Sequence, residues 1–389
     1  MFRWVSKRSF MKGLLAVIVA VFAVVLFELY IHDAHIDYRV KVAHYFMRAV
    51  FFFCGAGGDG KNFNRKCLSF LAYPAPLTGL DSSDGVHTRD IYIPFRMQNE
   101  TGWNEPVLSR LFVPTNNRSC NDDKIPLLIY SHGGGFAIGS GRAVQHDLLA
   151  RDLSSKAHMY VLSIDYRLAP EHPFPSAILD IYSVYMWLVD YKNGKKTSDS
   201  DFLSKVDFNK ILIGGDSAGA SLSIATTLAV RDGFKIENTT LPPGSLPFKY
   251  QLLFYPALAS NDTESRKLTN TYLLTSEDID FFGRSYIKEE KYLDPDHHHH
   301  HLYNFVNKRI GLKGLPSALI LTAEYDLLHD DGQIYADELK KAGVDVEYKS
   351  YKTIHGFLTF FMLPECSLAK NYTIEVLKNR NLVGNLGCQ

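Results

Sequence analysis

The chain has 389 residues, of which 46% are hydrophobic and 13% aromatic, so it can bury a large core. Its 42 basic and 42 acidic residues balance, and no basic excess indicates a nucleic-acid partner. The length permits two domains, although single α/β domains reach this size. The chain has five cysteines, namely Cys54, Cys67, Cys120, Cys366 and Cys388. They are widely spaced and form no C-x-x-C pattern, which argues against a zinc site or a small disulfide-bonded scaffold.

A positively charged N-terminus precedes a long apolar run. Residues 1–12 contain four basic and no acidic side chains, and residues 13–31 are almost wholly apolar apart from Glu28. About 19 helical residues just span a bilayer core of roughly 30 Å. We therefore predict a cytosolic tail over 1–12 and a transmembrane signal anchor over 13–31, with the rest of the chain lumenal or extracellular. A cleaved signal peptide is the alternative, which fits less well because no clear cleavage site follows the run.

Residues 32–86, between this run and the first predicted strand, are interpreted as a linker and an N-terminal cap segment. Their glycine run, Gly55–Gly60, lacks the Gly-Lys-Ser/Thr ending of a phosphate-binding loop, which favours a flexible linker. Beyond the anchor, N-x-S/T sequons give modest support for a lumenal chain and are candidate glycosylation sites. They are Asn99, Asn117, Asn238, Asn261 and Asn371.

Residues 87–389 are predicted to form one catalytic domain. Strand and helix patterns alternate there, which predicts an α/β fold with a mostly parallel, eight-stranded sheet and helices on both faces. The predicted strands are His87–Phe95, Val107–Val113, Pro126–Tyr130, Met159–Asp165, Lys210–Gly214, Lys249–Tyr255, Ala318–Thr322 and Val346–Tyr351. The predicted helices are Arg142–Lys156, Ser176–Tyr191, Ser217–Arg231, Asp331–Ala342 and Gly356–Lys378.

Residues 260–305 interrupt this alternation and form a predicted insertion. It contains a helical stretch, Ser276–Glu289, and a tract of consecutive histidines, His297–His301. Side chains from one backbone segment cannot all converge on a metal ion. The tract is therefore interpreted as a solvated loop, with metal binding as the alternative.

The sequence Gly215-Asp216-Ser217-Ala218-Gly219 lies between a predicted buried strand and a predicted helix. A chain that reverses there forces its central residue into a strained turn, and the flanking glycines let the strand and helix backbones approach. Such a turn lifts the Ser217 hydroxyl above the edge of the sheet. Ser217 is therefore the candidate nucleophile.

Three consecutive glycines, Gly133, Gly134 and Gly135, follow the third predicted strand. They expose unobstructed backbone N–H groups, which an oxyanion hole requires. Together with the N–H of Ala218, just after the nucleophile, they are the candidate oxyanion donors. Phe136 comes next and is a candidate residue of the substrate pocket.

A nucleophilic serine needs a base, and the base needs a carboxylate that orients it. In this architecture the chain order is Ser, Asp or Glu, His, at the ends of later strands. Asp326 and His355 follow the last two predicted strands and fit this order. Asp330 and Asp331 compete with Asp326, but they begin the next predicted helix, where carboxylates are favoured anyway. His329 is interpreted as a surface or structural residue.

Five motifs resemble the hormone-sensitive lipase family of α/β-hydrolases. They are His132–Gly135 (HGGG), Asp165–Glu171 (DYRLAPE), Gly215–Gly219 (GDSAG), Tyr325–Leu328 (YDLL) and His355–Phe357 (HGF). The resemblance covers about Val107 to Phe361. It implies an α/β-hydrolase fold with Ser217 as nucleophile, His355 as general base and then acid, and Asp326 as its orienting carboxylate. It also implies Gly134, Gly135 and Ala218 as oxyanion donors, with Gly133 as a further candidate.

In layout the chain is similar to the arylacetamide deacetylase branch of that family, which has one N-terminal anchor and a lumenal catalytic domain. The resemblance implies a single-pass type II protein of the endoplasmic reticulum membrane. It also implies a helical cap over the site, formed by residues 32–78 and 260–305. Phe136 and Ala220-Ser221 stand where the branch has Trp and Gly-Asn, so a substrate is not transferred one to one.

These features together predict a membrane-anchored serine carboxylesterase or deacetylase that acts through a Ser-His-Asp triad and an acyl-enzyme, without a metal or organic cofactor. A neutral lipid or steryl ester lipase would use the same chemistry in a larger pocket. A ligand-binding receptor without turnover, like the gibberellin receptors that resemble this family, is disfavoured because His355 is present. Apolar acyl groups of short to medium length are expected, because the candidate lining is aromatic. It comprises Phe136, Phe51–Phe53, Tyr272 and Phe281–Phe282.

Overall fold

The computed structural model describes residues 85–97, 102–115, 124–197, 199–236, 239–258, 263–268, 272–288 and 311–384. Their strands are β1 (Val86–Ile93), β2 (Val107–Pro114), β3 (Ile125–Ser131), β4 (Tyr160–Ile164), β5 (Val206–Asp216), β6 (Phe234–Ile236), β7 (Thr239–Leu241), β8 (Tyr250–Phe254), β9 (Ser317–Tyr325) and β10 (Val346–Ile354). Eight of them form one sheet in the order β1-β2-β4-β3-β5-β8-β9-β10, while β6 and β7 form a separate hairpin. Within the large sheet, β2 pairs antiparallel with β1 and β4, and the other neighbours are parallel.

The described helices are α1 (Val144–Ala157), α2 (Ser176–Lys192), α3 (Ser200–Leu203), α4 (Ala218–Asp232), α5 (Ser276–Tyr286), α6 (His329–Lys341) and α7 (Pro364–Asn379). Short 3-10 turns lie at Ser265–Lys267 and Phe357–Thr359. Helix α5 belongs to the predicted insertion. It begins with a capping box in which Thr275 and Asp278 bond each other's backbone N–H groups.

The central strands are buried on both faces, as parallel strands covered by helices must be. Successive residues of β3 enter different cores: Leu127 and Ile129 pack with α2, α4 and α6, whereas Leu128 and Tyr130 pack with α1 and α7. Since side chains alternate along a strand, an uninterrupted apolar run supplies both cores. This arrangement confirms the predicted α/β fold with a mostly parallel sheet.

The eight predicted strands all lie in this sheet, but one predicted helix, Gly356–Lys378, is divided. Gly356 has φ +75°, and a 3-10 turn follows it before α7 begins at Pro364. Proline has no N–H to donate within a helix and is favoured in the first turn, so the helix begins there. The β6–β7 hairpin and α3 are elements that sequence reasoning missed.

Within the described residues, the structure contains no helix that is long and apolar enough to cross a membrane. The longest described helix, α2, has 17 residues, whereas a spanning helix needs about 20 predominantly apolar residues. The predicted anchor, residues 13–31, lies outside the described residues. On this finding the predicted localisation, a single-pass type II protein of the endoplasmic reticulum membrane with a lumenal catalytic domain, is wrong.

Several other predictions fall on residues that the structure does not describe. The N-terminal cap segment and the tract His297–His301 lie outside the described residues, as do the sequons at Asn99, Asn117, Asn238 and Asn261. Asn371 is described and is exposed on α7. Glycosylation of any of these sites was predicted from a lumenal location, and that location is withdrawn.

Candidate active site

Ser217 lies at the turn between β5 and α4, where the chain is forced into an unusual backbone conformation. Its φ is +52° and its ψ −123°, a combination that a non-glycine residue adopts only under strain. Its N–H donates to the carbonyl of Phe254 at the end of β8, at 2.8 Å. A Cβ on Gly219 would stand 2.0 Å from the carbonyl oxygen of Ser131. Only glycine therefore lets α4 approach β3 this closely.

His355 connects Ser217 to Asp326. Its Nε2 lies 2.8 Å from Ser217 Oγ, and its Nδ1 lies 2.7 Å from Asp326 Oδ2. A carboxylate can only accept, so Nδ1 carries the proton and donates it to Asp326; Nε2 of the neutral ring then accepts from the serine hydroxyl. The structure thus brings the predicted nucleophile, base and orienting carboxylate together in hydrogen-bond contact.

Asp326 is fixed from its other side as well. It is 1% exposed, and its Oδ1 accepts the N–H of Leu328 at 2.9 Å. The competing carboxylates lie elsewhere: Asp330 Oδ1 contacts Nδ1 of His329 at 2.9 Å, and Asp331 contacts the insertion. His329 therefore sits beside the triad loop without taking part in the Ser217–His355–Asp326 chain.

The loop after β3 carries the predicted oxyanion donors. The N–H of Gly133 donates to Asp216 Oδ1 at 2.9 Å, so it is already engaged. In contrast, the N–H groups of Gly134, Gly135 and Ala218 have no hydrogen-bond acceptor among the described residues. These three remain candidates to stabilise an oxyanion, whereas a donor role for Gly133 does not fit the geometry.

Buried aromatic and imidazole side chains hold this loop from behind. His132 stacks on Tyr166 with ring centroids 4.2 Å apart, and the Tyr166 hydroxyl donates to the His132 carbonyl at 2.7 Å. Burial, with the nearby His146, lowers the pKa of His132 to about 4, so the ring is neutral at pH 7. On the far side of the loop, Ala169 N–H of the DYRLAPE motif donates to the Phe136 carbonyl at 2.9 Å.

Helix α5 of the insertion packs directly onto the oxyanion loop. Phe136 stacks on Tyr286 with ring centroids 4.0 Å apart and an angle of 8° between the planes. The ring of Phe282 lies against Gly135: a Cβ added to Gly135 would stand 2.2 Å from Phe282 Cγ. The insertion thus brings aromatic surface to within contact of the backbone that carries the candidate donors. Of the other predicted aromatics, Tyr272 and Phe281 lie within the described residues and Phe51–Phe53 lie outside them.

The first part of the insertion is tied to the loop that carries Asp326. Ser265 N–H donates to Asp330 Oδ2 at 2.8 Å, and Ser265 Oγ donates to the Leu327 carbonyl at 2.9 Å. Arg266 donates to Asp331 Oδ2 at 2.9 Å. Burial raises the pKa of Asp331 to about 6, although Arg266 acts against this rise.

Among the described residues, no three His, Cys, Asp or Glu side chains converge as a metal site would require.

Asp216 is the residue of this site that sequence reasoning missed. It has no assigned role in the motif at Gly215–Gly219, yet it is 3% exposed and bonds the loop after β3. A charged residue beside the candidate nucleophile, next to a buried strand, was the available signal, because buried carboxylates require partners.

Comparisons with known proteins identify the family of the fold. A sequence model of the family described as alpha/beta hydrolase fold matches residues 128–359. Carboxylic ester hydrolase LipN of Mycobacterium tuberculosis is 37% identical over 257 residues, which cover 65% of this chain and 63% of LipN, just under two thirds of that protein. Carboxylesterase NlhH of the same organism is 33% identical over 260 residues, 66% of this chain and 74% of NlhH.

A similar solved structure is the hyperthermophilic esterase from the archaeon Pyrobaculum calidifontis. It has a TM-score of 0.62 and 30% sequence identity, over 88% of this chain and 94% of that chain. The named relatives and this solved structure are ester hydrolases, and this chain is a carboxylic ester hydrolase. It belongs to the α/β-hydrolase family, in the hormone-sensitive lipase-like carboxylesterase class.

Proposed function

We propose that this protein is a serine carboxylesterase in which Ser217 is the nucleophile, His355 the general base and acid, and Asp326 the carboxylate that orients His355. One observation carries the proposal: the His355 ring contacts Ser217 Oγ at 2.8 Å and Asp326 Oδ2 at 2.7 Å. Both distances lie within the range that proton transfer requires.

In the first half of the reaction, Ser217 Oγ attacks the ester carbonyl carbon while its proton passes to His355 Nε2. The carbonyl electron pair moves onto oxygen, and the tetrahedral intermediate then expels the alcohol, which takes the proton from His355. Asp326 stays ionised and stabilises the imidazolium. Water repeats the sequence on the acyl-enzyme, which releases the acid and restores Ser217.

The oxyanion donors in this proposal are the N–H groups of Gly134, Gly135 and Ala218. Their support is that no described residue accepts a hydrogen bond from them. Gly133 is left out because Asp216 accepts its N–H. Preorganised donors of this kind stabilise the charge that develops on the carbonyl oxygen without further rearrangement.

The proposed substrates are uncharged carboxylic esters with apolar acyl groups of short to medium length. Phe282 and the stacked pair Phe136–Tyr286 border the oxyanion loop, and each buried methylene contributes about 0.8 kcal/mol to binding. We assign residues 87–389 to the catalytic domain and 260–305 to its cap, which sets the limit on acyl length. Membership of the arylacetamide deacetylase branch stays a prediction, and a lipid or steryl ester lipase is the alternative.

Two measurements test this proposal. A p-nitrophenyl phosphonate should phosphonylate Ser217 with release of p-nitrophenol, and peptide mass spectrometry should find the adduct there and not in Ser217→Ala. With p-nitrophenyl esters from acetate to palmitate, kcat/KM should rise with acyl length, reach a maximum and then fall. Labelling of another serine would refute the nucleophile. A rise that continues through palmitate and increases at a lipid interface would favour the lipase instead.

A further inference from the structure

One buried carboxylate oxygen receives hydrogen bonds from two different parts of the fold. Asp216 Oδ1 accepts the hydroxyl of Tyr130 at 2.7 Å and the N–H of Gly133 at 2.9 Å. Tyr130 is near the end of β3, Gly133 is in the loop after it, and Asp216 is the last residue of β5. Ser217 comes directly after Asp216. The carboxylate therefore joins the turn of the nucleophile to the loop of the candidate donors.

The charge of this carboxylate is maintained inside the protein. Burial alone would raise the pKa of Asp216, but the nearby His146 and the bond from Tyr130 outweigh burial and lower the pKa below its ordinary value. His146 Nε2 lies 3.6 Å from Asp216 Oδ1. An ionised carboxylate only accepts hydrogen bonds, and bonds to it are stronger than those between neutral groups.

Gly133 is fixed by more than this one bond. His132 Nδ1 donates to the Gly133 carbonyl at 2.7 Å, so both polar groups of the glycine are engaged. A Cβ on Gly133 would stand 2.4 Å from Asp216 Oδ2, which means that the carboxylate also lies against the Gly133 Cα. Directly beyond this fixed point, the N–H groups of Gly134 and Gly135 have no acceptor among the described residues.

We propose that Asp216 is a positioning residue for the oxyanion hole. It fixes Gly133 relative to Ser217, so that the N–H groups of Gly134 and Gly135 stand ready for the oxyanion without rearranging during the reaction. Fixed donors stabilise a transition state because their orientation is established during folding. The inference rests on the proposed function, since it assumes that Ser217 attacks and that these N–H groups receive the oxyanion.

The alternative is that Asp216 only contributes to the stability of the fold. The two roles differ in what they change. A positioning role affects the transition state, so its loss lowers kcat and weakens a ligand that forms an oxyanion while KM stays nearly constant. A purely stabilising role lowers the melting temperature and the amount of folded enzyme but leaves kcat per folded active site unchanged.

The test compares Asp216→Ala, Asp216→Asn and Tyr130→Phe with the full-length enzyme. The concentration of active sites is titrated with the phosphonate, and kcat, KM and the inhibition constant of an aryl trifluoromethyl ketone are measured. Ser217 adds to this ketone and leaves an oxyanion in the same place as the ester intermediate. Thr226→Val is the matched control, because it removes a buried hydrogen bond of α4, from Thr226 to the Leu222 carbonyl at 2.9 Å, away from the loop.

We expect Asp216→Ala to lower kcat by about 10²–10³, as the loss of an oxyanion donor does, and to weaken ketone binding in parallel. Asp216→Asn keeps an oxygen that accepts both bonds and should return kcat to within about tenfold of wild type. Tyr130→Phe should lower kcat roughly fivefold, since the bond to Gly133 remains. Thr226→Val should keep kcat and ketone affinity while losing some thermal stability.

Wild-type kcat per active site in folded Asp216→Ala, or a loss of kcat in Asp216→Asn equal to that in Asp216→Ala, would overturn the inference. If Asp216→Ala does not fold, Tyr130→Phe and Asp216→Asn still decide, since an unchanged kcat and ketone affinity in both would refute positioning. Failure of the proposed function gives a different result, namely hydrolysis by Ser217→Ala at the wild-type rate. The two ideas can therefore fail separately.

Discussion

Phe136 and Tyr286 stack face to face, with ring centroids 4.0 Å apart and planes 8° apart. Phe136 belongs to the loop after β3, and Tyr286 ends the insertion helix α5. The pair therefore joins the candidate oxyanion loop to the proposed cap. Phe174 packs edge-on against the Tyr286 ring, with centroids 5.8 Å apart. The N–H of Phe174 donates to the Tyr286 carbonyl at 2.9 Å.

The first prediction distinguishes the contribution of the Tyr286 ring to stability from that of its hydroxyl. The hydroxyl is buried and has no partner among the described residues, so Tyr286→Phe should leave stability unchanged or raise it by up to about 1 kcal/mol. Tyr286→Ala removes the stack and should destabilise by about 3–5 kcal/mol. Thermal unfolding measures both changes, and kcat/KM should fall only in Tyr286→Ala. Equal destabilisation by the two variants would show that the hydroxyl has a partner.

The second prediction concerns the contact between Gly135 and Phe282. Gly135→Ala should lower kcat/KM by roughly tenfold or more, because its φ of +57° strains an alanine and its Cβ would stand 2.2 Å from Phe282 Cγ. The double variant Gly135→Ala/Phe282→Ala relieves the clash but not the strain, so it should recover part of the activity.

A control for this pair lies next to it on α5. A Cβ on Gly283 meets nothing within 4 Å, so Gly283→Ala should stabilise by about 0.5–1 kcal/mol and leave activity unchanged. Esterase assays and thermal unfolding check all three variants. An unaffected Gly135→Ala enzyme would mean that Phe282 moves aside without consequence.

The third prediction concerns the dependence of the triad residues on one another. Ser217→Ala and His355→Ala should each lower kcat by about 10⁴–10⁶, and the double variant should be little worse than either, because the two groups act as one unit. Steady-state hydrolysis of p-nitrophenyl butyrate measures the three values. Multiplicative losses would indicate that the two residues act independently. Substitution of His329, which bonds Asp330 instead, should have little effect.

The fourth prediction is a pH effect of opposite sign at two adjacent carboxylates. Burial raises the pKa of Asp331 from 3.8 to about 6, so the folded state binds more protons than the unfolded state between these values. Ionised Asp331 therefore destabilises the fold at pH 7, by up to about 3 kcal/mol, and this effect disappears as the pH falls. The stability of wild type relative to Asp331→Asn should increase from pH 7 to pH 4.

Asp330 supplies the matched comparison. Burial alone would raise the pKa of Asp330, but the hydrogen bonds from His329 and Ser265 outweigh this effect and hold the pKa below its ordinary value. The unfolded state then binds more protons at pH values near and below 3.8, so stability is lost as the pH falls from 3.8 through the lower pKa of the folded state. The stability of wild type relative to Asp330→Asn should decrease as the pH falls below about 4. Urea unfolding at several pH values gives both differences, and two differences of the same sign would contradict the assignment.

Local sequence patterns determined the sheet and most of the helices. A short apolar run such as Leu127–Tyr130 is typical of a strand buried on both faces, and the alternation of such runs with helices leaves few topologies. The turn at Ser217 could also be predicted from the sequence, because the flanking glycines and the strand and helix around it lie within a few residues. The start of α7 at Pro364 could also have been predicted, since proline lacks the N–H that an interior helical position uses.

What only the tertiary structure decided are contacts between residues far apart in the chain. The order of residues along the chain identified Asp326 and His355 as candidates. The 2.7 Å contact between them, and the 2.8 Å contact from His355 to Ser217, depend on where β5, β9 and β10 end in the assembled sheet. The three glycines after β3 look equivalent in sequence. Folding brings Asp216, 83 residues away, against Gly133 alone. A local pattern fixes which groups are present, whereas packing fixes which of them remain free for substrate, because a buried polar group must find its partner wherever the fold supplies one.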